Sequence, residues 1–458
     1  MLRKVLNNRG VSARAALAFG YTPTAHILIP SERIERRIYR KEEDFIPFLF
    51  SPLFQRKVKH DSFGEVVEER KLIVGYSRTS PIYLDFSTAG GIWLFVSRTG
   101  SGKSFCFHGI LDTAINNGYA CIVFDVKNEY IHCDKPIQEK FLDILPPWRR
   151  PRGMPVKPLF PAYLRKKNIP KGWVFQIDIK DMKVEDMLTA LGLTQDDPQA
   201  QILLTVWREE SVPKSIDNLI WRVSHVNATQ ILQRLLPRGA KLQPFAERTQ
   251  ATLVRRLILL KSQRVIGSDY PFDIIGALRD GYFPVVCLDE DIGKKSYHST
   301  YISVLVRKIY ENYKRIGKRI IMAFEDAGAF CLPNRENPSC KTLILKQVIP
   351  VSARKRRIYC VGMIQNLSQI PSEALNQARS FIFFGMISGT DLEIIAKIRR
   401  KKPSIVMKKI DELNTLVKIA KAQGIIPEDF RHVIVWDDMD NAKVGFSTAP
   451  ASYHMEVE

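Results

Sequence analysis

The chain has 458 residues, 45% of them hydrophobic, which is enough for a large core and about two or three domains. Its net charge is +21 at an average charged fraction of 26%, so a polyanionic partner is favoured, either nucleic acid or an anionic membrane surface, with simple solubility as the alternative. No apolar run reaches the roughly 18 residues of a membrane span and no signal-peptide core is present, so we expect a cytoplasmic protein without a transmembrane segment; association with the periphery of a membrane or a virion stays open. The seven cysteines and eight histidines are scattered without metal-ligand spacing.

The first part of the chain, residues 1–70, is a basic region with a charge-rich stretch at 33–41. Two short segments follow at 71–76 and 81–85, and both predict strands. The next apolar run, 92–96, predicts a buried strand that leads directly into a glycine-rich loop.

This loop reads Ser-Arg-Thr-Gly-Ser-Gly-Lys-Ser over residues 97–104. Backbone N–H groups of such a loop surround nucleotide phosphates, while Lys103 would neutralise the phosphates and Ser104 would bind Mg²⁺. A predicted helix over 105–117 adds the positive end of its dipole. The sequence therefore predicts an ATP and Mg²⁺ site formed by Ser97, Arg98, Thr99, Gly100, Ser101, Gly102, Lys103, Ser104 and Phe105. Ser97 stands where the full pattern has a glycine that eases the turn.

Strands and helices alternate after the loop, and this order predicts an α/β fold with a doubly wound, mostly parallel sheet. Strands are predicted at 118–124, 283–288, 319–324, 358–364 and 381–384, with a final hairpin at 433–436 and 443–446. Residues 134–170 are rich in Pro, Arg and Lys and are expected to run irregularly over the surface, whereas 180–262 contain several helices. The predicted organisation is a basic region (1–70), a core (71–134 and 266–458) and an insertion (135–265) that includes an all-helical part.

Hydrolysis of a nucleotide also requires carboxylates, one for the magnesium shell and one for the attacking water. They should follow strands that end beside the phosphate loop. Two pairs qualify, Asp289 with Glu290 and Glu325 with Asp326. Spacing alone does not separate the two pairs, and either one would also suit the solvated start of a helix.

Several motifs point to one family. Tyr83-Leu84-Asp85 precedes the loop strand, Asp125 to Tyr130 read Asp-x-x-x-Glu-Tyr, and Gln365 ends the apolar run 358–364. With the phosphate loop, these motifs resemble the HerA–FtsK group of DNA-pumping P-loop ATPases, which includes HerA helicases, conjugation ATPases and viral packaging motors. The resemblance spans roughly residues 70–450 apart from the insertion, and it implies a RecA-like P-loop NTPase core.

The resemblance also implies roles for individual residues. Glu325 would hold magnesium and Asp326 would orient the water, although the group has Asp-Glu-Ala-His where this chain has Glu-Asp-Ala-Gly. Gln365 would sense the γ-phosphate, and Arg354 would reach the ATP of a neighbouring subunit, because the chain has a single phosphate loop. The implied catalytic residues are Asp326, Glu325, Gln365, Arg354 and Glu129.

The implied activity is ATP-driven translocation of double-stranded DNA by a homo-hexameric ring, without sequence specificity. Candidate DNA contacts are the basic runs 399–402 and 408–409 and the stretch 148–167. A conjugation or secretion ATPase, or a genome-packaging ATPase, is the alternative within the group, with a nuclease or a secretion or packaging machine as a possible partner. Two alternatives lie outside the HerA–FtsK group, a non-hydrolysing ATP-binding scaffold and a small-molecule kinase. A GTPase is disfavoured because no Asn-Lys-x-Asp motif occurs.

Overall fold

The computed structural model describes most of the chain from residue 71 onward. The described residues are 71–76, 81–85, 91–97, 102–139, 150–164, 169–209, 213–233, 242–288, 295–327, 356–370, 372–384, 388–399, 432–437, 441–447 and 450–452, with isolated positions at 142, 145 and between 404 and 415. The basic region 1–70 lies outside them, and so do parts of the candidate DNA-contact runs, namely 148–149, 165–167, 400–402 and 409.

The strands within these ranges form one twelve-stranded sheet in the order β2-β1-β12-β11-β10-β3-β9-β8-β4-β7-β5-β6. The strands are β1 (Lys71–Tyr76), β2 (Pro81–Asp85), β3 (Ile92–Val96), β4 (Ala120–Asp125), β5 (Val156–Pro161), β6 (Val174–Phe175), β7 (Phe283–Cys287), β8 (Ile320–Phe324), β9 (Ile358–Ile364), β10 (Ala378–Phe383), β11 (His432–Asp437) and β12 (Asn441–Ser447). The section from β10 to β6 is parallel throughout, and the other four strands pair antiparallel. The predicted doubly wound, mostly parallel sheet is confirmed.

Helices cover both faces of the sheet. They are α1 (Lys103–Asn116), α2 (Val184–Leu191), α3 (Pro198–Glu209), α4 (Ile216–His225), α5 (Ala228–Gln233), α6 (Leu242–Ser262), α7 (Ile274–Asp280), α8 (Lys295–Glu311), α9 (Tyr313–Ile316), α10 (Ser372–Gln377) and α11 (Gly389–Arg399). Alternate residues of β3 enter different cores: Trp93 and Phe95 pack with α1, and Leu94 packs in the core that the insertion shares. Burial on both faces explains why the central strands are continuous apolar runs. None of the described helices is long and apolar enough to cross a membrane.

One expectation is wrong. Residues 134–170 were expected to be irregular, but β5 lies within them, pairs in parallel with β7 and buries Leu159 completely. Pro158 and Pro161 hide this strand in the sequence because proline removes a ladder donor. Pro158 lies outside the two residues at which β5 pairs with the two-residue β6, and Pro161 is the last residue of β5.

The helices of the insertion pack against one another and against the core. Lys261 at the end of α6 is paired with Asp217 at the start of α4 (2.5 Å), and Gln250 donates to the carbonyl oxygens of Val223 and Val226 near the end of α4. The helices α4 and α6 therefore run antiparallel.

A buried ion pair joins the insertion to the core. Arg307 of α8 contacts Asp186 of α2 at 2.5 Å, and their side chains are 7% and 1% exposed. Asp186 also accepts a hydrogen bond from the backbone N–H of Lys183 (2.8 Å) and caps α2. Separating Arg307 from Asp186 would leave an uncompensated charge buried, which is strongly unfavourable. The ion pair therefore keeps α2 of the insertion in a fixed position on α8 of the core.

Residues near the end of the chain are fixed on the helix that follows the phosphate loop. Asp112 of α1 accepts hydrogen bonds from the backbone N–H of Ala451 (2.6 Å) and of Ser452 (3.2 Å) and from the Ser452 hydroxyl (2.7 Å). The hydroxyl also lies 2.8 Å from His108 Nε2, and all three side chains of this network, His108, Asp112 and Ser452, are buried. The three buried residues anchor 450–452 on α1.

Replacing the central carboxylate tests this anchor. Asp112→Ala leaves two buried backbone donors and a buried hydroxyl without their acceptor, so we expect a loss of stability on the order of 3 kcal/mol. Urea denaturation measures it, with the exposed Asp196→Ala as the matched control. Equal midpoints for the two variants would rule out a stabilising role for the anchor.

Candidate nucleotide-binding site

The end of the glycine-rich loop lies between the carboxyl end of β3 and the start of α1. Gly102 has φ 88°, a left-handed conformation that glycine adopts without strain, and it precedes the first residue of α1. The Lys103 ammonium donates to the carbonyl oxygen of Ser97, whose own N–H donates to Ile364 of β9 (3.1 Å). Ser97 therefore ties the loop to the sheet through its backbone, for which serine serves as well as glycine.

Not every predicted loop residue is described or faces the site. Arg98, Thr99, Gly100 and Ser101 lie outside the described residues. The side chain of Phe105 is 7% exposed and belongs to a small apolar cluster with Ile137 and Leu145. Any contact of Phe105 with a nucleotide would therefore come from its backbone.

The structure brings one of the two candidate acidic pairs to the loop. Glu325 follows β8, its N–H donates to Phe124 of β4 (3.0 Å), and its carboxylate accepts the Ser104 hydroxyl at 3.0 Å. Asp326 adopts φ 46°, which is uncommon for a residue with a side chain, and its charge acts on Lys103. The rival pair, Asp289 and Glu290, lies outside the described residues.

Two further carboxylates join this site from the end of β4. Asp125 caps the turn after the strand by accepting from the N–H groups of Lys127 and Tyr130, both at 3.0 Å. Glu129 lies in this turn, and Ser104 and Glu325 both act on its pKa. Three buried carboxylates therefore lie close enough to affect one another's pKa: Asp125, Glu129 and Glu325, of which Glu325 accepts the Ser104 hydroxyl.

Burial and mutual repulsion disfavour ionisation of these acids. Burial raises the pKa of Asp125 and of Glu129 above the ordinary carboxyl values. The pKa of Glu325 is raised well above its usual value, first by burial and then by the charges of Asp125 and Glu129. Burial, helped by Lys127, lowers the pKa of Lys103 to about 8, against the opposing effect of Glu325. The apoprotein therefore has a site whose charges are poorly compensated.

The donor set fits a hard cation. The second oxygens of Glu129 and Glu325, both Oε2, are buried without a hydrogen-bond partner within the described part of the chain. Carboxylate and hydroxyl oxygens are the ligands that Mg²⁺ prefers, and Mg²⁺ usually takes only one or two protein ligands besides substrate phosphates and water. No three His, Cys, Asp or Glu side chains of the described residues form a site that could hold a metal alone. Ser104 and Glu325 are therefore suited to share an ion with a triphosphate.

The remaining predicted site residues are placed less centrally. Gln365 follows β9, between β3 and β8, with an exposed side chain and a backbone N–H that donates to Gln369 (3.1 Å). Arg354 lies outside the described residues. Its neighbour Arg356 stacks over Tyr310 at 3.7 Å and donates to the Tyr310 carbonyl oxygen at 3.1 Å, so within the basic run 354–357 it serves the contact with α8.

Sequence reasoning missed a residue that shapes the floor of the site. Gly362 of β9 lies beneath the turn after β8, where a Cβ atom would come within 3.0 Å of the Leu94 side chain and 3.4 Å of Ala327. A glycine inside an apolar strand is a signal for such a close approach. It allows Ala327, next to Asp326, to pack directly on β9.

Comparison with known families decides the assignment. The model of the family described as "Helicase HerA, central domain" matches residues 71–317, more than half of the chain. The chain belongs to this HerA family. The predicted resemblance to the HerA–FtsK group is confirmed, and the protein is a HerA-like P-loop ATPase with a RecA-like core.

A solved structure shares the fold of this HerA-family chain, and two others are similar at lower TM-scores. VirB4 of Thermoanaerobacter pseudethanolicus superposes with a TM-score of 0.52 at 12% identity, over 84% of this chain and 98% of VirB4. The bacterial conjugative coupling protein TrwB gives 0.47 at 12% identity, over 88% of this chain and 91% of TrwB. The packaging NTPase B204 of Sulfolobus turreted icosahedral virus 2, in complex with AMP, gives 0.34 at 10% identity, over 78% and 98% of the two chains. No match was found among curated protein sequences.

Proposed function

We propose that this HerA-family ATPase hydrolyses ATP with Mg²⁺ and uses the energy to move double-stranded DNA. The observation that carries the proposal is the hydrogen bond of 3.0 Å between Ser104, next to Lys103, and Glu325. It joins the end of the phosphate loop to a carboxylate at the end of β8, a parallel strand separated from β3 by β9, and phosphoryl transfer requires such a carboxylate beside the loop. The net charge of +21 supports a nucleic-acid partner.

Each side chain has a defined task in this proposal. Lys103 leaves the Ser97 carbonyl oxygen for the β- and γ-phosphates, whose charge restores the affinity of its amine for a proton. Ser104 and Glu325 would hold Mg²⁺, and a bound ion would supply positive charge at the phosphate oxygens. Asp326 orients the attacking water, and Gln365 reports the loss of the γ-phosphate at the end of β9. Glu129 adjoins both magnesium-binding residues and keeps them in position.

The proposed assembly is a ring, hexameric by analogy with the group. Arg354 of one subunit would reach the ATP of the next and stabilise charge in the transition state, an effect worth about 10³–10⁵ in rate in other P-loop enzymes. The interchanged acids Glu325 and Asp326 prompt one rival, an ATP-binding scaffold that does not hydrolyse. Single-turnover hydrolysis separates the two, because a scaffold releases no phosphate even when the protein is in excess.

The test of the proposed function is ATP hydrolysis with and without double-stranded DNA. We expect unrelated DNA sequences to stimulate hydrolysis equally, because backbone contacts carry no sequence information. The DNA concentration for half-maximal stimulation should rise steeply with salt, by about 10³ or more between 50 and 200 mM if roughly six phosphates are contacted. Size measurements with ATP and DNA test the ring. A rate of ATP hydrolysis that does not change with DNA would refute DNA translocation but would still support ATPase activity.

A further inference from the structure

The helical insertion exposes an unusual amount of apolar surface on two of its helices. Of seven large hydrophobic side chains that are at least 40% exposed within the described residues, four belong to α4 and α6: Trp221, Phe245, Ile258 and Leu259. Exposed single hydrophobic residues need no explanation, but a concentration of them marks a binding surface. These helices lie far along the chain from the residues of the ATP site.

Three of the four side chains lie on the solvent-exposed side of the pair formed by α4 and α6. Ile258 lies one turn before Lys261, which is bonded to Asp217, and Trp221 lies one turn after Asp217 on the antiparallel α4. Leu259 is the residue after Ile258, about 100° further round α6, and its side chain is also exposed. This register places Trp221 beside the turn of α6 that carries Ile258. Their exposed fractions are 57% for Trp221, 49% for Ile258 and 50% for Leu259, so about half of each remains to be covered.

Exposed arginines accompany this apolar group. Arg248, Arg255 and Leu259 are spaced by seven and four residues and so follow one line along α6, and Arg256 is also exposed. The acidic side chains nearest in sequence are Asp217, neutralised by Lys261, and Glu247. We call Trp221, Ile258 and Leu259, together with Arg248, Arg255 and Arg256, the insertion face.

We propose that the insertion face binds an anionic phospholipid surface. Tryptophan and aliphatic side chains enter the boundary between headgroups and acyl chains, while arginines keep their guanidinium groups among anionic headgroups. Basic residues held near such a surface strengthen the attraction to anionic lipid. DNA binding is the weaker explanation, because aliphatic side chains such as Ile258 and Leu259 have nothing to contact on a phosphate backbone. The α6 helix would lie along the surface, parallel to the membrane plane.

Flotation with lipid vesicles tests the proposal on the full chain. The probes are vesicles of phosphatidylcholine alone and vesicles with about 30% phosphatidylserine, since anionic lipid should be required. We expect the triple variant Trp221→Ser/Ile258→Ser/Leu259→Ser to lose at least about tenfold in binding to the anionic vesicles. The matched control is Leu142→Ser/Tyr282→Ser/Ile405→Ser, which removes three side chains of similar exposure (41%, 48% and 52%) elsewhere and should bind as the wild type does.

Two further measurements separate insertion from attraction by net charge. At about 1 M salt, where charges more than about 3 Å apart are screened, the wild type should retain more binding than the triple variant. Brominated acyl chains should quench tryptophan fluorescence in the wild type, and Trp221→Phe should remove that quenching. Equal binding of both triple variants overturns the proposal. A triple variant that binds vesicles normally but has lost DNA binding assigns the face to nucleic acid instead. ATP hydrolysis without DNA serves as the measure of intact folding.

Discussion

Lys103→Ala is expected to reduce kcat/KM for ATP by at least about 10²–10³, the range seen when one preorganised group that stabilises transition-state charge is removed. The Lys103 ammonium is half-buried, and burial lowers its pKa to about 8, so its charged form is destabilised in the absence of nucleotide. The negative charge of bound phosphates would stabilise that form again. The variant should fold normally, since the lost bond to Ser97 is replaced by water at the loop. Steady-state hydrolysis measures the effect, and the exposed Lys314→Ala is the control.

Mixing variants extends this prediction to the assembly. Lys103→Ala and Arg354→Ala should each be inactive alone, because one lacks the phosphate lysine and the other the proposed trans-acting arginine. In a mixed ring, some sites combine an intact loop from one subunit with an intact arginine from its neighbour, so activity should return in part. A mixture as inactive as its components would mean that Arg354 acts within its own subunit or does not act in catalysis.

Glu325→Gln is expected to abolish hydrolysis and at the same time stabilise the ligand-free protein by on the order of 1 kcal/mol. Hydrolysis is lost because the amide is a poor magnesium ligand. Stability rises because the substitution preserves shape while removing one of three buried, mutually repelling carboxylates. Thermal unfolding without nucleotide or magnesium measures the gain, and exposed Glu139→Gln is the control.

The pH dependence of stability provides a sharper test. The pKa of Glu325 in the folded protein is raised above its ordinary value of 4.5, so the folded state binds more protons than the unfolded state between these two pKa values. The free energy of unfolding should therefore fall as the pH rises above about 4.5, opposite to the behaviour of a salt-bridged carboxylate. Glu325→Gln should weaken this fall. A variant less stable than the wild type at neutral pH would show that Glu325 is favourably ionised in the apoprotein.

The sequence predicted the core of the fold because its signals are local. Strands such as β3 and β9 are buried on both faces, so their apolar runs stand out without any knowledge of the neighbours. The β5 strand was missed because its two prolines and its lysine are unusual in a strand, and only its pairing with β7 identifies it as one.

The site also contains features that local sequence reveals and features that depend on distant residues. The phosphate loop has a fixed spacing and could be recognised directly, whereas the position of Glu325 beside Ser104 depends on the order of the strands in the sheet. Composition gave no hint of the network of Asp112, Ser452 and His108, because hydrogen bonds between residues 340 positions apart leave no periodic signal. Contacts between residues far apart in the chain are therefore the features that could not be predicted from one sequence.

The inserted segment is not a detachable accessory. Deleting residues 135–265 would remove β5 from the sheet and leave the backbone of β7 as an unpaired edge, which favours aggregation. The deletion would also leave the buried guanidinium of Arg307 without Asp186, its acidic partner. Because β5 pairs with β7 and β7 pairs with β4, we expect a movement of these helices to be transmitted to the strand that ends at Asp125, beside the proposed ATP site.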